Sequence, residues 1–320
     1  MIKITMLKNP KKLLLIMCTC LVANVAYAEE QGISVDLNSG RGGEAQRVDD
    51  GTEFKVCADQ DNLPYSNSKL EGFENKIAEV LAQDLGKKLS YQFWYDRMGF
   101  LRNTLNANRC DVIMGTTSDY DALRTSKPYY RSGHVFVYKK SSGYDIKNWD
   151  SPDLQKVIIG IVGQSPASRP LADHGLIDNA RPYRMQRDLN LPPSYMIDDL
   201  VKGEIDVAVL WGPIGGYFAK QSKEPLVVVP IPEYEKVNAK GKEYWNISVG
   251  VRKKDKERMA MIQGALDRNQ DKILKILDEY GIPHVPVVEG DSIAKVYRES
   301  LGQDPSKEGE KRGEGIAKTQ

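Results

Sequence analysis

Side chains able to grip a small solute fall just beyond the predicted strands. After FKVCA come Asp59, Asn62 and Tyr65; after CDVIMG come Thr116 and Thr117; after VIIGIV come Gln164 and Ser165; IDVAVL runs straight into Trp211. A carboxylate neutralises a cation, and amides, phenols and hydroxyls orient a polar solute through hydrogen bonds. An indole face attracts a cation, and backbone N–H groups at a helix entry such as Gly163-Gln164-Ser165 attract an anion. A plainer reading stands beside each. Asp-Gln-Asp-Asn at 59–62 is also ordinary turn chemistry. Gly-Gln-Ser serves equally as a helix entry and cap, and Trp211 as a plug or a packing residue.

Catalysis finds less support. His134, His174 and His284 lie far apart with no ligand spacing, so no metal site is expected. The run Gly-Gln-Ser-Pro-Ala has Ala167 where a nucleophile elbow needs glycine. Asp59 and Asp119 are the acids available, and nothing pairs either with a base. Gly-Arg-Gly-Gly at 40–43 precedes no strand–helix unit, so no phosphate cradle and no bound cofactor are expected. The chain reads as a binding protein, not an enzyme.

The elements that would position these residues alternate between two periods. Phe73, Ile77, Val80, Leu81 and Leu85 share one helical face, closed by Gly86. SYQFWY alternates at strand period, and CDVIMG, VIIGIV and IDVAVLW are continuous apolar strands of the buried kind. Such alternation predicts α/β architecture with a parallel sheet in each of two lobes. The chain would cross between lobes near 133–140 and 244–253. Ligands then sit beyond the carboxyl ends of the strands, in the cleft where the two sheets face one another.

The ends set the context. Lys3, Lys8, Lys11 and Lys12 precede an apolar run over 13–26 and an Ala26-Tyr27-Ala28 site, the pattern of a cleaved export signal. The run is short for a membrane span, so residues 1–28 are read as a signal peptide and the protein as periplasmic, without membrane insertion. The chain holds 45 basic and 44 acidic residues, and the leader takes four lysines. The remainder is therefore slightly acidic, which excludes a basic nucleic-acid surface. Residues 29–52 read as a flexible leader, 53–138 as the first part of lobe 1, and 139–243 as lobe 2. Residues 244–302 bring the chain back to lobe 1 with its C-terminal helices, and 303–320 form a polar tail unable to repay its ordering entropy.

Cys57 and Cys110 are the two cysteines beyond the leader. An oxidising compartment favours a bridge between them. Their offset argues the other way. One lies near the end of the first strand and the other at the start of a parallel neighbour, about three residues or ~10 Å apart along the strand, where a bridge needs Cα atoms within roughly 7 Å. The compartment argues for the bridge and the offset against it, and the residues leave both states open.

Over roughly 53–282 the chain resembles the type II periplasmic solute-binding proteins. VCADQDNLPYSN, EGFENKIAEVLAQDLG, RMGFLRNTLNANRCDVIMG and RTSKPYYRSGHVFVYKK resemble more specifically the methanol-oxidation protein J family (MoxJ, MxaJ and XoxJ type). That resemblance implies an accessory protein of a PQQ-dependent methanol dehydrogenase, acting by binding the dehydrogenase. The alternative it leaves is the receptor of an ABC importer for a small cationic or aromatic solute. Amino-acid receptors of this superfamily carry Thr-Pro-Glu-Arg after the third strand. Here Asp119 falls near the arginine position in a shorter loop, and Arg124 could substitute only if the loop refolds. The second-lobe acid that holds the ammonium corresponds to Trp211, whereas Asp59 matches the first-lobe acid. Both grips on a zwitterion are thus expected to be dismantled. Tyr129, Tyr130, Trp149 and Trp245 are candidate docking anchors, because aromatics dominate interfaces; core or hinge packing is their alternative.

Overall fold

A computed structural model describes residues 34–36, 49–96, 99–185, 188–233 and 244–288. The expected signal peptide over 1–28, the polar tail over 303–320 and most of the 29–52 leader lie outside the described residues. No helix among those described is long and apolar enough to cross a membrane.

Lobe 1 is built on β1 (Ser34–Asp36), β2 (Glu53–Ala58), β5 (Lys88–Phe93) and β6 (Val112–Thr117), which run parallel in the order β1-β5-β2-β6. A small hairpin of β3 (Asp61–Asn62) and β4 (Ser66–Asn67) projects from the end of β2. Helix α1 (Phe73–Asp84) covers one face of the sheet. It buries Phe73, Ile77 and Leu81 against Tyr91, Val249, Ile262 and Leu277, the stripe its spacing predicts. The segment before β6 is mostly turn. Helix α2 spans only Phe100–Asn103 and then gives way to turns, with Asn108 in the left-handed region. Asparagines at 103, 106 and 108 favour turns over a continued helix.

The short β7 (Arg124–Thr125) leads to β8 (Tyr130–Lys139), the first crossing between lobes. Its start pairs with β13 (Tyr244–Val251), the returning strand, and its end with β11 (Val207–Trp211) and β12 (Leu226–Pro230). Lobe 2 adds β9 (Ile159–Val162) and β10 (Ala180–Tyr183), parallel to each other, with β9 also parallel to β11. Its helices are α3 (Ser168–Asp173), α4 (Tyr195–Lys202) and α5 (Gly212–Gln221). Two apolar layers flank its sheet, one around Phe136, Trp149 and Leu154, the other around Val135, Met196 and Leu200. After β13, α6 (Lys256–Arg268) and α7 (Gln270–Tyr280) return to the lobe 1 core. The lobes are not purely parallel. β8 enters the lobe 2 sheet and β13 the lobe 1 sheet antiparallel, because a strand arriving from the other lobe meets the sheet from its opposite end; β12, antiparallel to β8, runs the same way as β11.

Cys57 and Cys110 form a disulfide with Cα atoms 5.4 Å apart. This corrects the offset argument. Cys110 is not on a strand: β6 begins two residues later, and the Asp111 N–H donates to the Lys55 carbonyl as the turn enters the sheet. Strand rise therefore does not measure the separation. The bridge is buried with Phe100, Leu105 and Ile113 on the face of the lobe 1 sheet opposite α1.

Candidate functional site

Between the lobes lies a cavity of about 440 Å³. That volume falls within the range of small-molecule sites. Its lobe 1 wall comes from the end of β2, the hairpin turn, the first turn of α1 and the end of β6; its lobe 2 wall is Trp211 with Pro166, and its floor is Tyr130, Trp245 and Ile247. Asp59, Asn62, Tyr65, Thr117 and Trp211 are brought together as their positions beyond the strands anticipate.

Three expected residues are not. Thr116 and Thr117 are consecutive strand residues, so they face opposite sides of the sheet; Thr116 opens instead on a neighbouring groove with Tyr120 and Leu123. Gln164 and Ser165 do not line the cavity, although Pro166 beside them does. The turn's donors are engaged internally as well: Gly163 N–H binds the Tyr183 carbonyl and Ser165 N–H the Val162 carbonyl. Two of the turn's three N–H groups are therefore committed to its own fold, and Gln164 and Ser165 stay outside the cavity lining.

Asp59 is a structural tie. Its carboxylate accepts the N–H groups of Asp61 at 2.8 Å and Asp96 at 2.6 Å, and its carbonyl accepts the Ser66 hydroxyl at 2.8 Å. One side chain thus fixes the hairpin and the loop after β5 against each other.

Trp211 ends β11 opposite His134 of β8, with the two rings edge to face at 5.5 Å. The indole packs against the lobe 1 core, where Tyr65, on the opposite side of the cleft, also packs. Where a receptor for zwitterions would place an acid, this chain places a residue that engages its own opposite jaw.

Glu74 escaped the sequence reading, because an acid in a helix's first turn looks like ordinary dipole chemistry. Its position depends on close backbone packing. The turn at Pro64 and Tyr65 sits on the start of α1, its carbonyls accepting the N–H groups of Phe73 at 2.8 Å and Glu74 at 3.0 Å. A Cβ at Gly72 would lie 2.0 Å from the Tyr65 oxygen, so only glycine permits that approach. Glu74 then extends beneath β6, where a Cβ on Gly115 would fall 1.9 Å from its Oε1; Gly115 is also left-handed, at φ +66°. Burial, reinforced by the charge of Asp96, pushes the Glu74 carboxyl up to about 8. Burial also raises Asp96, with Asp59 adding to it. Tyr65, Tyr129 and Tyr130 are driven well up by burial first; Glu74 adds to each.

Arg124 lies away from the cavity, its Nε donating to the Lys253 carbonyl at 3.0 Å. Asp119 is left-handed, and its N–H binds the Thr125 hydroxyl. Neither meets a cleft solute. Among the described residues no arginine or lysine lines the cavity, and no group of three His, Cys, Asp or Glu side chains could hold a metal ion. The acidic half of the site is larger than the sequence reading allowed, with Glu74 and Asp96 joining Asp59.

The docking expectation needs correcting too. Tyr129, Tyr130 and Trp149 are 1%, 2% and 4% exposed and are packing residues. Tyr129 accepts the Gly115 N–H, Tyr130 packs edge-on against Phe73, and Trp149 edge-on against Phe136. Trp245 is half-buried and faces the cavity.

Residues 54–282 match the model of the bacterial extracellular solute-binding proteins, family 3. Protein MoxJ of Methylorubrum extorquens is 31% identical over 283 residues, covering 84% of this chain and 92% of that protein. The crystal structure of MxaJ from Methlophaga aminisulfidivorans MPT aligns with a TM-score of 0.65 at 31% identity, over 72% of this chain and 100% of that one. Periplasmic binding protein XoxJ from Methylobacterium extorquens AM1 aligns with a TM-score of 0.62 at 34% identity, over 73% and 100%. An ancestral cationic amino-acid solute-binding protein, at 20% identity and a TM-score of 0.58, shares the fold. Two lobes joined by β8 and β13, a cleft at the strand ends and these similarities together place the chain in family 3 of the bacterial extracellular solute-binding proteins, as a MoxJ-type periplasmic binding protein.

Proposed function

We propose that this protein is exported to the periplasm and serves a PQQ-dependent methanol dehydrogenase there, binding the enzyme or its precursor to aid assembly, maturation or activation. It performs no chemistry of its own. The partner comes from similarity to the MoxJ, MxaJ and XoxJ proteins; a shared fold alone would not supply it. The observation that carries the reading is Trp211, packed across the cleft on the lobe 1 core where an amino-acid receptor needs an acid. With the buried aromatics withdrawn as anchors, Tyr95 and Tyr120, exposed at 37% and 40%, remain for docking. Immobilised mature protein should retain dehydrogenase subunits from a periplasmic extract. An eluate without them would end this reading.

The cavity itself favours a second reading, a receptor delivering a small solute to an importer. A ligand at 100 times its Kd adds about 2.7 kcal/mol of stability. Thermal-shift screening across amino acids, amines and alcohols therefore separates the two, since an accessory protein with an idle cleft responds to none.

A further inference from the structure

We infer that the cleft binds a small organic ammonium, a protonated amine on a compact apolar or aromatic body without a carboxylate, and that Glu74 is the group that anchors it. The inference rests on the second reading, that the cleft holds a solute, and is independent of docking to a dehydrogenase.

Three observations converge on this class. The cavity is lined by π faces from Tyr65, Tyr130, Trp211 and Trp245, which attract a cation while covering its apolar body. Among the described lining residues there is no arginine or lysine to neutralise a carboxylate, and His134 is the one titratable base, so a zwitterion would lack a permanent cation for its carboxylate. Glu74 opens on the cavity, and no described residue hydrogen-bonds its carboxyl. Asp59, by contrast, already accepts two backbone N–H groups. A metal ion is a poor alternative occupant, since the described acids do not converge on one point.

Binding should then be linked to a proton. With its carboxyl at about 8, Glu74 is mostly neutral at pH 7. A cation seated against it favours the carboxylate, so one proton leaves as the ammonium enters. The titratable and charged groups facing Glu74 are Asp59 and Asp96 from the loops after β2 and β5, Tyr65 from the hairpin turn, Tyr129 from the residue before β8, and Tyr130 and His134 from β8; β6 brings no titratable side chain to the cavity. Glu74→Gln leaves all of these in place, which isolates its own share.

The test is calorimetry with benzylammonium, benzyl alcohol and phenylalanine as probes. Benzylammonium should bind and the other two should bind at least tenfold more weakly. Its affinity should fall about fiftyfold from pH 8 to pH 6, and titrations in phosphate and Tris at pH 7 should report release of about one proton. Glu74→Gln, checked for unchanged thermal unfolding at pH 5, should weaken binding and abolish that release. Tight binding of benzyl alcohol or phenylalanine in preference to benzylammonium would overturn the ammonium assignment while leaving the receptor reading standing. Failure of all three to bind would overturn both. Wild-type binding of benzylammonium with no pH dependence would remove Glu74 as the anchor, with or without the variant.

Discussion

Lobe 1 faces the cleft with carboxyl groups from three separate elements, Asp59, Glu74 and Asp96; lobe 2 faces it with an indole and a proline, Trp211 and Pro166. The acidic wall is rigidly tied. Asp59 bridges two loops, Glu74 is lodged against Gly115, and the disulfide lies behind β2. The aromatic wall meets its counterpart through Trp211, packed on the core that Tyr65 also joins, while α5 and α7 meet outside the cavity through Tyr217 stacked on Tyr280 at 5.9 Å. The cleft is therefore lopsided. Among the described lining residues the second jaw presents no carboxylate and meets the first through Trp211, whereas the first presents three acids, with Glu74 lodged against Gly115.

The largest test of that asymmetry is the bridge. Cys57 and Cys110 are 53 residues apart, and closing such a loop is worth about 4 kcal/mol in the chain-entropy account. Cys57→Ala with Cys110→Ala should lower stability by that order. Amide exchange should show the loss in lobe 1, around β2, β6 and the turns between them, with the lobe 2 layer around Leu200 unaffected. Equal loss in both lobes would mean that they unfold as one unit and that the rigid wall has no separate identity.

Glu74 gives the next effect, and its sign is fixed. The folded carboxyl, at about 8, lies above its ordinary 4.5. Its contribution is fully present below pH 4.5 and is lost as pH rises through 8, because the unfolded chain ionises first. Discounting for contact with the cavity, the loss is about 3 kcal/mol. Unfolding midpoints for Glu74→Gln should fall less than those of the parent between pH 5 and pH 9. Parallel curves would show that the acid is solvated and that the first wall stores no such cost.

Trp211 tests the other wall. Trp211→Ala removes the packing across the cleft and the edge-to-face contact with His134, together about 2 kcal/mol. Trp211→Phe keeps most of the packing and should cost about 1 kcal/mol. If this side chain holds the jaws together, small-angle scattering should show a larger radius of gyration for the alanine variant and not for phenylalanine. An unchanged radius in both would leave the hinge strands β8 and β13 as what sets the jaw angle.

Much of this was legible in the residues, and the misses have definite causes. Period and burial found α1, the buried strands and both crossings, since each depends on local patterning. Asp59, Tyr65 and Trp211 were found because a strand end in an open α/β sheet points at the cleft. Thr116 was misplaced by one step of strand alternation. The bridge stayed undecided because a strand's rise was applied to Cys110, which lies before the strand begins. Glu74 was missed for a deeper reason: its burial arises from Gly72, Gly115 and the hairpin turn packing together, three distant segments that no local pattern links.

The smallest expected effect completes the comparison from the side of what lobe 1 lacks. Arg124 is the one arginine in the loop where a zwitterion receptor would carry its carboxylate clamp, yet its guanidinium is turned to the Lys253 carbonyl outside the cavity. An exposed hydrogen bond of that kind contributes little, so Arg124→Ala should change stability by less than about 0.5 kcal/mol. It should also leave the affinity of any cleft ligand within twofold, measured by the same calorimetry. A tenfold loss for an amino acid would mean that the loop refolds on binding and restores the clamp. The acids of lobe 1 would then be one half of a working zwitterion site, and Trp211 a gate rather than a replacement.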